Sequence, residues 1–186
     1  TLSLEIYNHA LSQYLILKDS SNIDYCYYSI GIAKINIGEY SSAILSLKKT
    51  LTYNPGNDRG IKRYNALADC FYFIDEIDSA IFYNNIAYDL SKNHTDFVLL
   101  EDVIYSFIDI YSYGETKYYL NPDKLIRYYK ELADLTASND PYRTAIIYSS
   151  IGDIYWVKEK YNKALESYEK SKKIWTNYIP GYQDSL

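Results

Sequence analysis

The stretch Tyr148-Ser149-Ser150-Ile151-Gly152-Asp153-Ile154-Tyr155 places a glycine inside an apolar and aromatic helical pattern. A second apolar pattern follows it, at Tyr161, Ala164, Leu165 and Tyr168. The same order occurs near the N-terminus, at Tyr27, Ile30, Gly31, Tyr40, Ala43, Leu47 and Pro55. Such self-similarity predicts an array of repeats, each of which is a pair of helices.

This order resembles the tetratricopeptide repeat (TPR), a helix–turn–helix unit of about 34 residues. The family pattern is an aromatic residue, Leu-Gly and a second aromatic residue in the first helix, then Ala and an aromatic residue in the second. The resemblance implies an all-α fold, a right-handed α-solenoid of TPR-like helix-turn-helix repeats. We therefore expect helices and no sheet.

The whole chain, 1–186, is expected to form a single array of about four irregular repeats behind a half repeat. Residues 1–23 resemble the second helix of a preceding repeat, and 180–186 resemble the lead-in to a further one. The repeats between them are 24–57, 61–94, 97–140 and 145–179, of which the third is degenerate and has a long loop from Gly114 to Asp123. Neither end has an evident polar cap, so we expect the array to continue in a longer protein.

The register of the repeats follows from the eighth position of each first helix, where the family places a small residue. Gly31, Ala68, Ile108 and Gly152 hold this position, with spacings of 37, 40 and 44 residues. Glycine costs about 1 kcal/mol of helix propensity against alanine, so close helix packing is the reason we expect for it.

Composition and charge exclude several classes of protein. The 48% hydrophobic content supplies a core, whereas a net charge of −5 and a pI near 5.0 argue against a nucleic-acid partner. No apolar run approaches the roughly 20 residues of a membrane span, so we expect no membrane insertion by this segment. Cys26 and Cys70 suit small core positions, and a cytoplasmic and a periplasmic location are both compatible with them.

Catalysis has little support in the sequence. The two histidines, His9 and His94, do not belong to a recognised motif, and phosphate-binding loops and metal-ligand spacings are missing. We therefore predict that the chain is not an enzyme and has no catalytic, cofactor-binding or metal-ligating residues.

The TPR resemblance implies a concave groove, faced by positions 2, 5, 9, 12 and 13 of the first helices. The candidate ligand residues are Tyr28, Asn65 and Tyr105 at position 5, Asp69, Asp109 and Asp153 at position 9, Tyr72 and Trp156 at position 12, and Tyr113 at position 13. These carboxylates and rings suit a peptide with basic and aromatic side chains. TPR domains that hold a C-terminal carboxylate carry Lys at position 5 and Asn at position 9. Asp at position 9 is negatively charged, so this groove has the wrong charge for a carboxylate ligand.

The candidate carboxylates have a second interpretation. Asp69, Asp109 and Asp153 could pair with Lys or Arg of neighbouring helices, while the rings fill space between repeats. Both interpretations stay open from the sequence.

The function that follows from the resemblance is a non-catalytic protein- or peptide-binding or sensing module of a larger, bacterial regulatory protein. One alternative is the regulatory segment of an enzyme whose catalytic domain lies outside this chain. The other is a scaffold that self-associates through its uncapped repeat ends.

Overall fold

The computed structural model describes residues 2–53, 58–112 and 120–178. These residues form nine α-helices and no strand, which confirms the predicted all-α class. The helices are α1 Leu2–Leu17, α2 Ser20–Asn36, α3 Tyr40–Tyr53, α4 Asp58–Phe73, α5 Ile77–Ser91, α6 Phe97–Ser112, α7 Pro122–Thr136, α8 Pro141–Val157 and α9 Tyr161–Tyr178. The predicted lead-in at 180–186 and residues 114–119 of the predicted long loop lie outside the described residues. The predicted end of that loop at Asp123 was wrong, because the Asn121 cap starts α7 at Pro122.

Local capping determines where several helices begin. The side chains of Asp19, Asn121 and Asp140 accept hydrogen bonds from the first turns of α2, α7 and α8. Pro122 and Pro141 occupy the first turns of α7 and α8, where a missing N–H costs nothing. Because of these caps, α2 and α8 start about one helical turn before residues 24 and 145, the predicted starts of their repeats.

The turns inside three helical hairpins share one geometry. Gly38, Asp75 and Glu159 all have positive φ, between 56° and 78°. In each turn the following N–H donates back into the preceding helix, from Glu39 to Lys34, from Glu76 to Phe71 and from Lys160 to Tyr155, each at 2.9 Å. This is the Schellman arrangement of a helix end, and it reverses the chain tightly enough for the two helices to pack.

The helices group into two compact units, Thr1–Ser106 and Phe107–Leu186. In the first unit, each of α1 to α4 packs on the helix that follows it, and in the second α8 packs on both α7 and α9. The core of each unit consists of the apolar faces of these packed helices. Its fully buried residues include Leu47, Leu67, Leu132 and Ile151. Cys26 and Cys70 are buried free thiols, and burial raises the pKa of Cys70 to about 12.

Small residues bring the paired helices together, as the repeat register predicts. The alanines Ala43, Ala80 and Ala164 of the second helices are fully buried. A Cβ added at Gly31 would lie 2.8 Å from the side chain of Leu47, and one at Gly152 would overlap the ring of Tyr168. A methyl group fits at neither position unless its neighbour moves.

No helix in the described part of the chain is long and apolar enough to cross a membrane.

Candidate functional site

A buried ion pair joins α2 to α4 in the first unit. The guanidinium of Arg63 donates a hydrogen bond to the carboxylate of Asp24, and both side chains are at most 2% exposed. Arg59, one helical turn earlier on α4, approaches the same carboxylate at 4.0 Å, with its side chain 58% exposed. Since the pair lies 39 residues apart in sequence, it fixes how the two first helices meet.

Burial dominates the titration of this pair. It raises the pKa of Asp24, while the charges of Arg63 and Arg59 oppose that rise. It also lowers the pKa of Arg63, against the attraction of Asp24. Each charge is therefore tolerated inside the protein because the other is present.

Two cavities lie beside α2, and the smaller of them adjoins the ion pair. This one, of about 180 Å³, lies between α2 and α4 and is lined by Asp24, Tyr25, Tyr28, Arg59, Lys62 and Arg63. The other, of about 320 Å³, is lined by residues of α1 and α2, which are Ser3, Tyr7, Tyr25, Tyr28, Ser29, Ile32, Ala33 and Asn36. Tyr25 and Tyr28 line both cavities, and we call the two neighbouring cavities together the tyrosine site.

Tyr28 is the residue of the tyrosine site that the sequence predicted. Its ring is half-buried, and burial raises the pKa of its hydroxyl. Tyr25, at position 2 of the same repeat, is 52% exposed and meets the ring of Tyr7 edge-on at 6.3 Å.

The other predicted residues of the first unit lie elsewhere on α4 and α6. Asp69 is half-buried and accepts a 2.6 Å hydrogen bond from the hydroxyl of Ser106. Tyr72 is half-buried and packs edge-on against Phe73, and Tyr105 is exposed. Asn65 is half-buried, and its Oδ1 has no hydrogen-bond partner among the described residues.

Three predicted residues of the second unit lie in the described part of the chain, and all three are exposed. Asp109 lies on α6, where partial desolvation raises the pKa of its carboxyl. Asp153 accepts a 2.8 Å hydrogen bond from the hydroxyl of Tyr168. Trp156 is 59% exposed and meets Tyr161 edge-on at 5.0 Å. Tyr113 lies outside the described residues.

Asp69 and Asp153, two of the candidates at position 9, each accept a hydrogen bond from a hydroxyl group. Ser106 holds Asp69 and Tyr168 holds Asp153, so neither of these bonds is the Lys or Arg contact that the second interpretation proposed. A neutral donor leaves the negative charge of the carboxylate in place.

Five residues that line the α2–α4 cavity were not singled out from the sequence, namely Asp24, Tyr25, Arg59, Lys62 and Arg63. A signal for three of them was available. Lys62 and Arg63 follow Arg59 by three and four residues, which places each of them beside Arg59 on the surface of α4.

The arrangement is suited to binding. Among the described residues, no group of three or more His, Cys, Asp or Glu side chains could hold a metal ion. His9 is exposed, and Nδ1 of His94 accepts a hydrogen bond from the backbone N–H of Asp96 near the start of α6. The tyrosine site instead offers rings, hydroxyls and positive charge around an open space.

Comparison with solved structures relates the fold to known proteins, whereas no protein-family model and no curated protein matches the chain. BtubC (BKLC) from P. vanneervenii aligns with a TM-score of 0.73 and 16% identity, over 95% of this chain and 74% of its own. MamA aligns with a TM-score of 0.63 and 24% identity, over 90% and 88%. YrrB, a TPR protein with an unusual peptide-binding site, aligns with a TM-score of 0.60 and 20% identity, over 95% and 82%.

These likenesses extend over nearly all of this chain and concern its fold. The chain has the fold of the TPR proteins, a right-handed α-solenoid of helix-turn-helix repeats, and the resemblance stated from the sequence is confirmed at that level.

Proposed function

We propose that this chain is a non-catalytic protein-interaction module that binds an extended peptide segment of a partner, within a larger bacterial regulatory protein. The observation that carries the proposal is the tyrosine site, whose two cavities lie on either side of Tyr25 and Tyr28 of α2. Tyr25 and Tyr28 hold positions 2 and 5 of their repeat, which face the ligand groove in the TPR family. Exposed rings bury a large area on binding at a small cost in entropy.

Replacing Tyr25 by Ala should weaken peptide binding about tenfold, because the side chain walls both cavities and is truncated without disturbing the core. Immobilised random octapeptides with blocked ends, probed with the purified protein, would supply ligands, and titration of the best of them would give the Kd.

Tyr142→Ala is the matched control, since that ring is 58% exposed against 52% for Tyr25 and lies on α8. It should bind like the parent. Equal binding by the Tyr25 variant would place the peptide elsewhere, and failure of the parent to capture any peptide would contradict the proposed function.

For the second unit we propose the basic-aromatic preference that the sequence predicted. Asp109 and Asp153 are exposed carboxylates on first helices, and the exposed Trp156 lies one helical turn beyond Asp153. A Lys or Arg side chain of a ligand would gain Coulomb attraction from the carboxylates and cation–π attraction from the indole. Because these groups face solvent, the preference should weaken as salt is added.

The double variant Asp109→Asn/Asp153→Asn should bind peptides rich in Lys and Tyr about fivefold more weakly, since exposed charge pairs each contribute up to about 1 kcal/mol. Binding titrations at low and high salt would measure this. Asp134→Asn/Glu159→Asn is the control, because it removes the same charge from exposed positions outside the candidate residues. An equal loss in the control would mean that net charge, rather than these carboxylates, attracts the peptide.

A further inference from the structure

The charge of the α2–α4 cavity differs from that of the candidate carboxylates. Arg59, Lys62 and Arg63 line it together with one acid, Asp24. Asp24 lies against Arg63, and a further acid, the exposed Asp102, interacts with the charge of Lys62. The three cations thus outnumber the one lining acid, so the cavity attracts an anionic group.

The cations divide into a fixed one and two adaptable ones. Arg63 is fully buried and held by its ion pair, and its charge is balanced by that of Asp24. Arg59 and Lys62 are exposed, and their long side chains can turn toward a group that enters the cavity. A guanidinium and an ammonium side by side suit a carboxylate, which offers two oxygens to several donors.

Asp24 is the one acid of this lining. Its carboxylate is almost fully buried, and Oδ1 has no hydrogen-bond partner among the described residues. That oxygen is closed to solvent, so a ligand in the cavity does not reach it. Recognition of the ligand therefore depends on the exposed cations, Arg59 and Lys62.

The size of the cavity limits that ligand. Its volume of about 180 Å³ is smaller than the roughly 300–1,000 Å³ of pockets that enclose whole small molecules, so it suits a single side chain. The larger cavity, which shares Tyr25 and Tyr28, leaves room for a neighbouring residue against Tyr7 and Ile32.

We propose, on the basis of the peptide-binding function above, that the α2–α4 cavity selects an internal acidic residue of the partner peptide. The Glu or Asp carboxylate lies between Arg59 and Lys62. The adjacent apolar residue occupies the space between α1 and α2. The first unit thereby recognises an acidic residue next to an apolar one.

The test uses octapeptide libraries with acetylated and amidated ends, identical except for one central position fixed as Glu, Gln or Lys beside a fixed Leu. The parent should bind the Glu library about tenfold more tightly than the Gln library, which has the same shape without the charge. A fourth library, with Gln at the centre and a free C-terminal carboxylate, separates an internal acid from a chain end.

The double variant Arg59→Gln/Lys62→Gln should bind the Glu and Gln libraries equally. Both side chains are exposed, so the variant should melt at the parent's temperature. Lys49→Gln/Lys130→Gln removes two exposed cations away from the cavity and should keep the preference for Glu.

Three results would overturn the proposal while leaving peptide binding intact: equal capture of the Glu and Gln libraries by the parent, a Glu preference that survives in the double variant, or tight binding that needs the free C-terminus. If the parent captures none of the libraries, the proposed function fails and this inference fails with it.

Discussion

Replacing Arg63 by Met is expected to lower the free energy of unfolding by about 3–5 kcal/mol, the usual cost of removing one partner from a buried ion pair. The reason is the carboxylate of Asp24, which would stay buried without its main counter-charge. Arg59 lies 4.0 Å from the same oxygen and its side chain is exposed, so it recovers only part of the lost electrostatic stabilisation. Urea unfolding followed by circular dichroism would measure the change.

The double variant Asp24→Leu/Arg63→Met provides the control for this result. Replacing both partners by apolar residues removes the charges and their desolvation cost together, so the double variant should be more stable than Arg63→Met alone. The single variant Asp24→Leu completes the comparison. If the losses in unfolding free energy of Asp24→Leu and Arg63→Met add up to that of the double variant, the two residues do not act as a pair. A single change that costs less than about 0.5 kcal/mol, the size of a typical surface substitution, would mean that the pair is hydrated rather than buried.

The sequence predicted the fold because small residues recur where the two helices of a repeat pack closely. Gly31 and Gly152 mark places where a first helix approaches a second, and the structure puts Leu47 and Tyr168 against them. Within each repeat, small and large residues keep the same offsets, although the spacing from one repeat to the next is irregular. Helix packing depends on local offsets of three and four residues, which insertions in the turns leave unchanged.

The turns were less predictable for a physical reason. Gly38 adopts a positive φ without strain, and a glycine between two helical patterns predicts a turn of this type. Asp75 and Glu159 adopt the same conformation, which Asp tolerates and Glu disfavours. At Glu159 the packing of the two helices imposes the conformation, so the residue type does not signal it.

The tyrosine site shows the limit of reasoning from repeat positions alone. Asp24 and Arg63 look like solvated charges in the sequence, because nothing local reveals that they meet across two helices. Likewise, Asp69 gives no sign that it accepts a hydrogen bond from Ser106, which is 37 residues away. Long-range pairing decides the chemistry of a repeat surface, whereas repeat register decides only which positions can take part in it.

Leucine at Gly31 or Gly152 is expected to lower the free energy of unfolding by about 1–3 kcal/mol, because overpacking forces the facing helix away. Gly31 should be the more sensitive position. The side chain that it faces, Leu47, is fully buried and has nowhere to move. The ring facing Gly152 belongs to Tyr168, which is half-buried and can swing toward solvent, at the loss of its hydrogen bond to Asp153.

Thermal and urea unfolding of both variants would test this order. Ser41→Leu is the matched control, because it adds the same side chain to an exposed helical position and should change stability by less than about 0.5 kcal/mol. A Gly31 variant as stable as the control would show that α2 and α3 do not meet there. A larger cost at Gly152 than at Gly31 would show that the Tyr168 ring cannot yield, and that its hydrogen bond to Asp153 is part of the rigid packing of α8 against α9.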